Sequence, residues 1–361
     1  PRDLHSFPPR RSSDLCVVFS LAACGGTSTP AASEAPAADA SEAPAEATEV
    51  PAADGAEYTL GMGVELSTGS SKTGTAQVDA TVAAVVLDGE GKIVSCRIDC
   101  AQSKMDVADG AVDAAKTFKT KMELGDEYGM VAYGNAIAEW DAQTKAFEEF
   151  VVGKTAAEVE ALETVLKNNH NVAVDETLYA SCTMDITAFK AAVVKACGEV
   201  NSVSFTAAEG FTLGVAAITN AADSTAATAE EDGVVKMYTE FGAAVVDAEG
   251  KILAAVTDAT QPKISVSTAG EIVSADYKGT KMELGPDYGM VAHGNAIAEW
   301  DAQAKAFSAY TVGMTAADVR AIETTESNGH NITVDETLLA SCTMDITGMM
   351  AVIAQAADYA R

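Results

Sequence analysis

The sequence predicts an α+β fold: two tandem copies of a small antiparallel-sheet module with helices packed on it. Three observations carry that expectation. Lys121 to Cys197 matches Lys281 to Ala357 at a fixed offset of 160 residues, with about two-thirds identity, the mark of a duplicated domain and not of a short solenoid repeat. Paired apolar, β-branched runs are split by a tight polar turn. Amphipathic runs introduced by Thr-x-x-acid capping boxes follow them. Strands first and helices after, around a small sheet, is an α+β order.

The elements follow in chain order. Thr81 to Leu87 and Lys92 to Ile98 form a hairpin around Asp88-Gly-Glu-Gly91, and Ala243 to Val246 with Lys251 to Val256 repeat it. An irregular segment leads to a Lys-Met-Glu-Leu-Gly block. A helix is expected over 136–152, where Ile137, Trp140, Thr144, Phe147 and Val151 recur at helical spacing and Gly153 ends the run. Thr155-Ala-Ala-Glu158 opens a short second helix, and Thr315-Ala-Ala-Asp318 does the same in the second copy. After a polar loop, Ser181 to Ile186 reads as a short strand, and Thr187 caps a last helix through Phe189, Val193 and Ala196.

Module one therefore covers 56–200 and module two 201–361. Ahead of them, Pro1 to Leu15 has no periodicity and reads as adapter-like sequence foreign to the fold. Cys16 to Cys24 is the apolar tail of a signal peptide, too short to span a bilayer. Leu21-Ala-Ala-Cys24 before Gly25-Gly26 has the form of a lipobox, which makes Cys24 the lipidated residue. Residues 25–55, nearly all Ala, Pro, Ser, Thr and Glu, cannot bury enough apolar surface to order themselves and form an acidic tether. The expected location is the outer face of a cell membrane, held by the lipid at Cys24.

A formal charge of −30 argues against nucleic acid as a partner, since phosphate recognition needs clustered Lys and Arg. Cys96 and Cys100 are Ala255 and Ala259 in the second copy, so a metal or redox pair would be private to one module. On a strand they lie two pleats apart on one face, too far for a disulfide, and read as core thiols. Gly153-Lys-Thr155 lacks a P-loop's upstream glycine. His170 and His330 have no ligand partner at metal spacing and read as solvated loop residues. Glu139, Asp141, Glu299 and Asp301 read as the wet face of their helices.

Two segments could carry chemistry. Asp175 to Thr187, repeated as Asp335 to Thr347, sets Ser181, Thr183, Ser341 and Thr343 just before a helix start, where unpaired N–H groups and the helix dipole favour phosphate. Tyr128-Gly129-Met130 and Tyr288-Gly289-Met290 could supply a flat wall with close backbone approach for an aromatic ligand. The Trp140 and Trp300 pair reads as core. With their Gly-Lys-Ile hairpin, Glu-Leu-Gly…Tyr-Gly-Met loop, Glu-Trp-Asp-Ala-Gln helix and Ser-x-Thr turn, the modules resemble the FMN-binding-domain lipoproteins of anaerobic Firmicutes.

That resemblance implies exported electron carriers with FMN on a threonine phosphoester, here Thr183 and Thr343, and an unnamed redox partner. The motif differs from the family pattern: Ala180-Ser181-Cys182 stands for Ser/Thr-Gly-Ala, and Asp185 and Asp345 stand for the closing hydroxyl. Two functions stay open: an FMN-binding electron carrier, or a cofactor-free surface-binding, antigen-like lipoprotein on the same fold. Either is a binding or electron-transfer protein more than a catalyst.

Overall fold

The computed structural model describes residues 49–51, 55–294 and 296–361. Cys24, the adapter-like segment and nearly all of the tether lie outside them. Among the described residues no helix is long and apolar enough to cross a membrane.

The fold is α+β, as the sequence predicts. In the first half, strands β1 (Ala56–Ser67), β2 (Thr75–Leu87) and β3 (Ile93–Asp106) precede short helices α1 (Lys121–Leu124) and α2 (Met130–Gly134). Next come α3 (Trp140–Val151), α4 (Ala156–Glu160), a small hairpin of β4 (Thr164–Lys167) and β5 (His170–Ala173), then α5 (Glu176–Tyr179) and α6 (Thr187–Ala196). The second half runs β6 (Ser202–Ala207), β7 (Thr212–Asn220), β8 (Gly233–Lys236), β9 (Tyr238–Val246), β10 (Ile252–Thr260), β11 (Lys263–Val266) and β12 (Ile272–Asp276). It closes with α7 (Lys281–Leu284), α8 (Met290–Gly294), α9 (Trp300–Tyr310), α10 (Ala316–Arg320), β13 (Thr324–Ser327), β14 (His330–Thr333), α11 (Glu336–Leu339) and α12 (Thr347–Asp358).

The main sheets have the orders β3-β2-β1-β6 and β10-β9-β7. Apart from β6, which exposes one face, their strands are largely buried on both faces, and the period-2 alternation sorts side chains between two cores. Val82, Ala84 and Val86 join Leu60, Met62, Leu213, Phe241 and Val245 in one cluster between the sheets. Ala83 and Val85 face the other way, toward Phe147, Phe189 and Val193 of α3 and α6. Ala244 and Val246 do the same toward Phe307 and Ile353 of α9 and α12. The layers are thus helix, sheet, sheet, helix. A third sheet, β12-β11-β8, packs Val235, Ile264 and Val266 on Val78 and Met105 near the far ends of β2 and β3.

Glycine sets the helix–sheet distance. A Cβ on Gly61 would overlap the Ala196 carbonyl oxygen of α6, and one on Gly214 would overlap that of Ala356 in α12.

The boundary at 200/201 does not divide the hydrogen bonding. β6 follows it in sequence but pairs along β1, from Ala56↔Ala207 to Gly61↔Ser202. Val50, ahead of β1, bridges in turn to Phe211 beside β7. The second half thus lends β6 to the first half's sheet, and the first returns a single bridge at Val50.

Local expectations fared unevenly. The hairpin turns and both Thr capping boxes form as read, with Gly91 and Gly250 at positive φ. The helix expected over 136–152 starts only at Trp140, because Asn135 is left-handed at φ 52, and Ile137 is left outside it, 56% exposed. Ser181 to Ile186 is not a strand. The Leu178 carbonyl accepts from the N–H groups of both Ser181 and Cys182, which keeps the chain turning. The polar loop after α4 contains the β4–β5 hairpin and its counterpart β13–β14.

Candidate functional site

In both halves, the elements after the main hairpin converge on the first turn of α3 or α9. Asp99 Oδ1 accepts the N–H groups of Cys100 at 2.6 Å and Met122 at 3.2 Å, tying α1 to β3. Asp258 Oδ1 does the same for Ala259 at 2.7 Å and Met282 at 3.1 Å. Burial pushes Asp99 up to about 6 and Asp258 up to about 7, against the pull of these donors and of Thr120 or Thr280. Thr120 and Thr280 close capping boxes with Glu123 and Glu283. Each anchor fixes the lysine that opens the short helix.

That lysine sits in an aromatic cage. Lys121 Nζ lies 4.9 Å from the Tyr128 ring centroid and 5.5 Å from that of Trp140. Lys281 Nζ lies 4.7 Å from Tyr238, 4.8 Å from Tyr288 and 5.2 Å from Trp300, and it donates to the Tyr238 hydroxyl at 3.0 Å. Cation–π attraction offsets part of the cost of burying the ammonium. Burial nevertheless pulls Lys281 down to about 8, against the neighbouring Glu240 carboxylate. Glu240 itself is pushed up to about 7 by burial, against the pull of Lys281 and with a smaller push from Asp345. At the positions of Tyr238 and Glu240 the first half carries Asp79 and Thr81, so the two cages differ in their polar wall.

The Tyr-Gly-Met loops join this cage through Tyr128 and Tyr288. Gly129 and Gly289 are left-handed at φ 76 and 82, which L side chains rarely adopt. The N–H groups that follow are taken: Glu139 accepts from Met130 at 2.7 Å and Val131 at 2.9 Å, and Glu299 from Met290 at 2.8 Å and Val291 at 3.1 Å. Glu139 and Glu299 are therefore not wet-face residues. Each precedes its helix and staples the loop to it.

The Ser-Cys-Thr turns are closed in the same way. Thr183 donates its N–H to Gln143 Oε1 at 2.9 Å, with its hydroxyl 3.3 Å from the same oxygen, and Thr343 meets Gln303 at 2.8 and 3.4 Å. Ser181 and Ser341 are exposed and donate to the carbonyls of Leu178 and Leu338. Asp185, not Thr187, caps α6: its Oδ1 accepts the Thr187 N–H at 2.9 Å and its Oδ2 the Asn171 N–H at 2.7 Å. Asp345 repeats both bonds with Thr347 and Asn331. Burial works against these carboxylates, but the N–H donors outweigh it and hold both below the usual range.

An FMN phosphate does not fit these turns. The first helix N–H, at Thr187, holds Asp185, as does the Asn171 N–H, and the Thr183 N–H holds Gln143. A phosphate about 4 Å from that carboxylate would meet a repulsion on the order of 4 kcal/mol at the effective dielectric of a protein surface. The second half has the same arrangement at Asp345 and Gln303.

The expected sites thus fall into two groups around one helix start, with Tyr128 and Met130 on one side and Thr183 on the other. Sequence reasoning missed the caged lysines, Gln143, Gln303 and the stapling role of Glu139 and Glu299. Their only signal was unbroken recurrence of the Lys-Met-Glu-Leu-Gly and Glu-Trp-Asp-Ala-Gln blocks. Cys96 and Cys100 are buried thiols, Cys96 at 1% exposure, in the core beside Trp140. His170 and His330 are exposed residues that open the second strands of the small hairpins.

No family model matches the chain. It is similar to a chlorophenol reductase of Desulfitobacterium hafniense, 35% identical over 97 residues. That match covers 23% of this chain and 30% of the reductase, so the chain spans under a third of that relative's length. A solved structure from Bacteroides fragilis, described as an exported protein of YmcC-like fold, aligns over 64% of this chain and 92% of its own. Its identity of 6% and TM-score of 0.11 carry no argument about this fold.

Proposed function

We propose that this chain is a membrane-anchored, extracytoplasmic lipoprotein whose folded region is a cofactor-free binding protein. One observation supports the second half of that reading: in each half Asp185 or Asp345 takes the first helix N–H, at Thr187 or Thr347, together with the strand N–H of Asn171 or Asn331, beside the threonine on which a flavin phosphate would sit. Glu139 and Glu299 fill the other recurrent set of donors. A duplicated element whose anion-receptive groups are met by its own carboxylates is built for rigidity, and it presents its faces to a partner. The lipobox ending in Cys24, with its acidic tether, supports the anchor. The charge of −30 supports a partner other than nucleic acid.

A second reading, an FMN-carrying electron-transfer protein, is favoured by the reductase named among its relatives and by the recurrence of Thr183 and Thr343. In that reading the flavin would supply the redox chemistry, and Tyr128 and Tyr288 would line it.

The two separate on one preparation. The full chain is expressed with a flavin transferase in a lipoprotein-processing host, and detergent-phase partition and in-gel flavin fluorescence are both read. The proposal expects partition into detergent, lost in Cys24→Ala, and no fluorescent band. A fluorescent band removed by Thr183→Val together with Thr343→Val would replace the proposal with the second reading.

A further inference from the structure

The two halves differ most along the outer edges of β3 and β10. In the first half the chain closes the edge with its own charges. Glu148 Oε1 accepts the Ile98 N–H at 2.7 Å, and Arg97 Nη1 donates to the Cys96 carbonyl at 2.8 Å. Glu148 Oε2 lies 3.8 Å from Arg97 and 3.6 Å from Arg361, and Arg97 also donates to the Arg361 carbonyl. The second half carries Val256, Ser308 and Asn201 at the positions of Arg97, Glu148 and Arg361.

Unmet polar atoms lie at both edges: Arg97 Nε and Glu148 Oε2 lack hydrogen-bond partners in the first half, and the exchange leaves a different, uncharged set in the second. Thr257 stands where Ile98 does. Its carbonyl faces outward, since it accepts from Asn201 Nδ2 at 3.2 Å, and in an antiparallel strand its N–H faces the same way. Turned away from β9, the N–H has no ladder partner, and no backbone bond joins it to another element among the described residues. Ser308 Oγ and Asn201 Oδ1 are also without partners, in residues only 4% and 3% exposed. Buried polar groups are ordinarily satisfied, so a cluster of three asks for an explanation.

Beside them lies a cleft of about 750 Å³ between β6, β10 and α9, within the size range of small-molecule sites. Phe205, Ala254, Val256, Met282 and Val312 form its apolar wall. Its charged lining is Lys251, Lys305 and Asp247, net positive in a chain of charge −30.

We propose that this cleft binds a small molecule with an apolar body and one carboxylate, the ligand's carboxylate taking the place that Glu148 fills in the first half. It accepts from the Thr257 N–H and the Ser308 hydroxyl, while Lys251 and Lys305 attract it at the rim. The apolar body lies on Phe205 and Val256. Asn201 Oδ1 favours a ligand that also carries a hydrogen-bond donor. The site is distinct from the caged lysines and the Ser-Cys-Thr turns, so it stands or falls separately from the function proposed above.

Calorimetric titration of the full chain with 4-phenylbutyrate and with its neutral amide tests this. The acid is expected to bind at one site per chain, and the amide at least tenfold more weakly, because it loses the charge-assisted hydrogen bonds. Binding shifts the Thr257 amide resonance. Ser308→Glu restores the first half's internal carboxylate and is expected to abolish binding. Ala309→Trp, at an exposed position on the cleft's mouth, is expected to block it without touching the core. No binding of the acid, equal affinity for acid and amide, or binding indifferent to Ala309→Trp would each overturn the proposal.

Discussion

Asp258 tests whether the buried anchor of the caged lysine is held at a cost. Both of its N–H bonds, from Ala259 and Met282, end on Oδ1. Asp258→Asn therefore keeps the Oδ1 acceptor for both N–H groups while removing the charge and turning the other oxygen, near Thr280, into an NH2 group. Burial raises the folded carboxyl to about 7, whereas an unfolded aspartate titrates near ~3.9. With the folded value raised, the favourable contribution is complete below the unfolded value and is lost as pH rises through the folded one. About three units of difference correspond to a loss of about 4 kcal/mol across that window, an upper figure for a carboxylate with three donors around it. Denaturant midpoints of the full chain and Asp258→Asn, measured at steps between acid and weakly alkaline pH, read it directly. The variant should gain on the parent steadily as pH rises and level off above about pH 8. Asp99→Asn should show the same sign over a narrower window, since its carboxyl reaches only about 6. Parallel curves, or a parent that gains on the variant as pH rises, would refute this account of the anchor.

Other consequences are equally concrete. Asp185→Ala removes the cap of α6 and leaves the Thr187 and Asn171 N–H groups without acceptors, and it should lower stability by about 1–3 kcal/mol in chemical denaturation. Glu139→Ala should speed amide exchange at Met130 and Val131 by more than tenfold, with little change in the β2 and β3 amides. Gly61→Ala forces a methyl into the Ala196 carbonyl and should destabilise by about 1–3 kcal/mol or more, seen as a lowered melting temperature, while Gly74→Ala, with no atom near its Cβ, should show only the smaller strain of a positive φ.

The parts of the fold legible in sequence were those written within a few residues. Thr155 and Glu158, or the glycine at the end of Asp88-Gly-Glu-Gly91, act on their own neighbours, so a capping box or a hairpin turn is visible without tertiary context. Ile137 has the spacing of the α3 core positions, yet the left-handed Asn135 and the Glu139 staple start the helix later and leave it exposed. Ser181 to Ile186 has strand-like composition, but the Leu178 carbonyl and the Asp185 carboxylate hold it as a turn. The candidate site was legible as recurrent blocks and illegible as geometry. Lys281 meets Tyr238 across 43 residues of chain, and Thr183 meets Gln143 across 40. The crossed pairing of β6 with β1 leaves no local mark at all.

In each half one of this chain's own carboxylates holds the first helix N–H, a donor that a flavin phosphate on Thr183 or Thr343 would use. Titration of FMN with the full chain, followed by flavin fluorescence, tests it most directly. Unchanged flavin fluorescence is expected for the wild-type protein; saturable quenching at two FMN per chain, weakened by Thr183→Val and Thr343→Val, would contradict this.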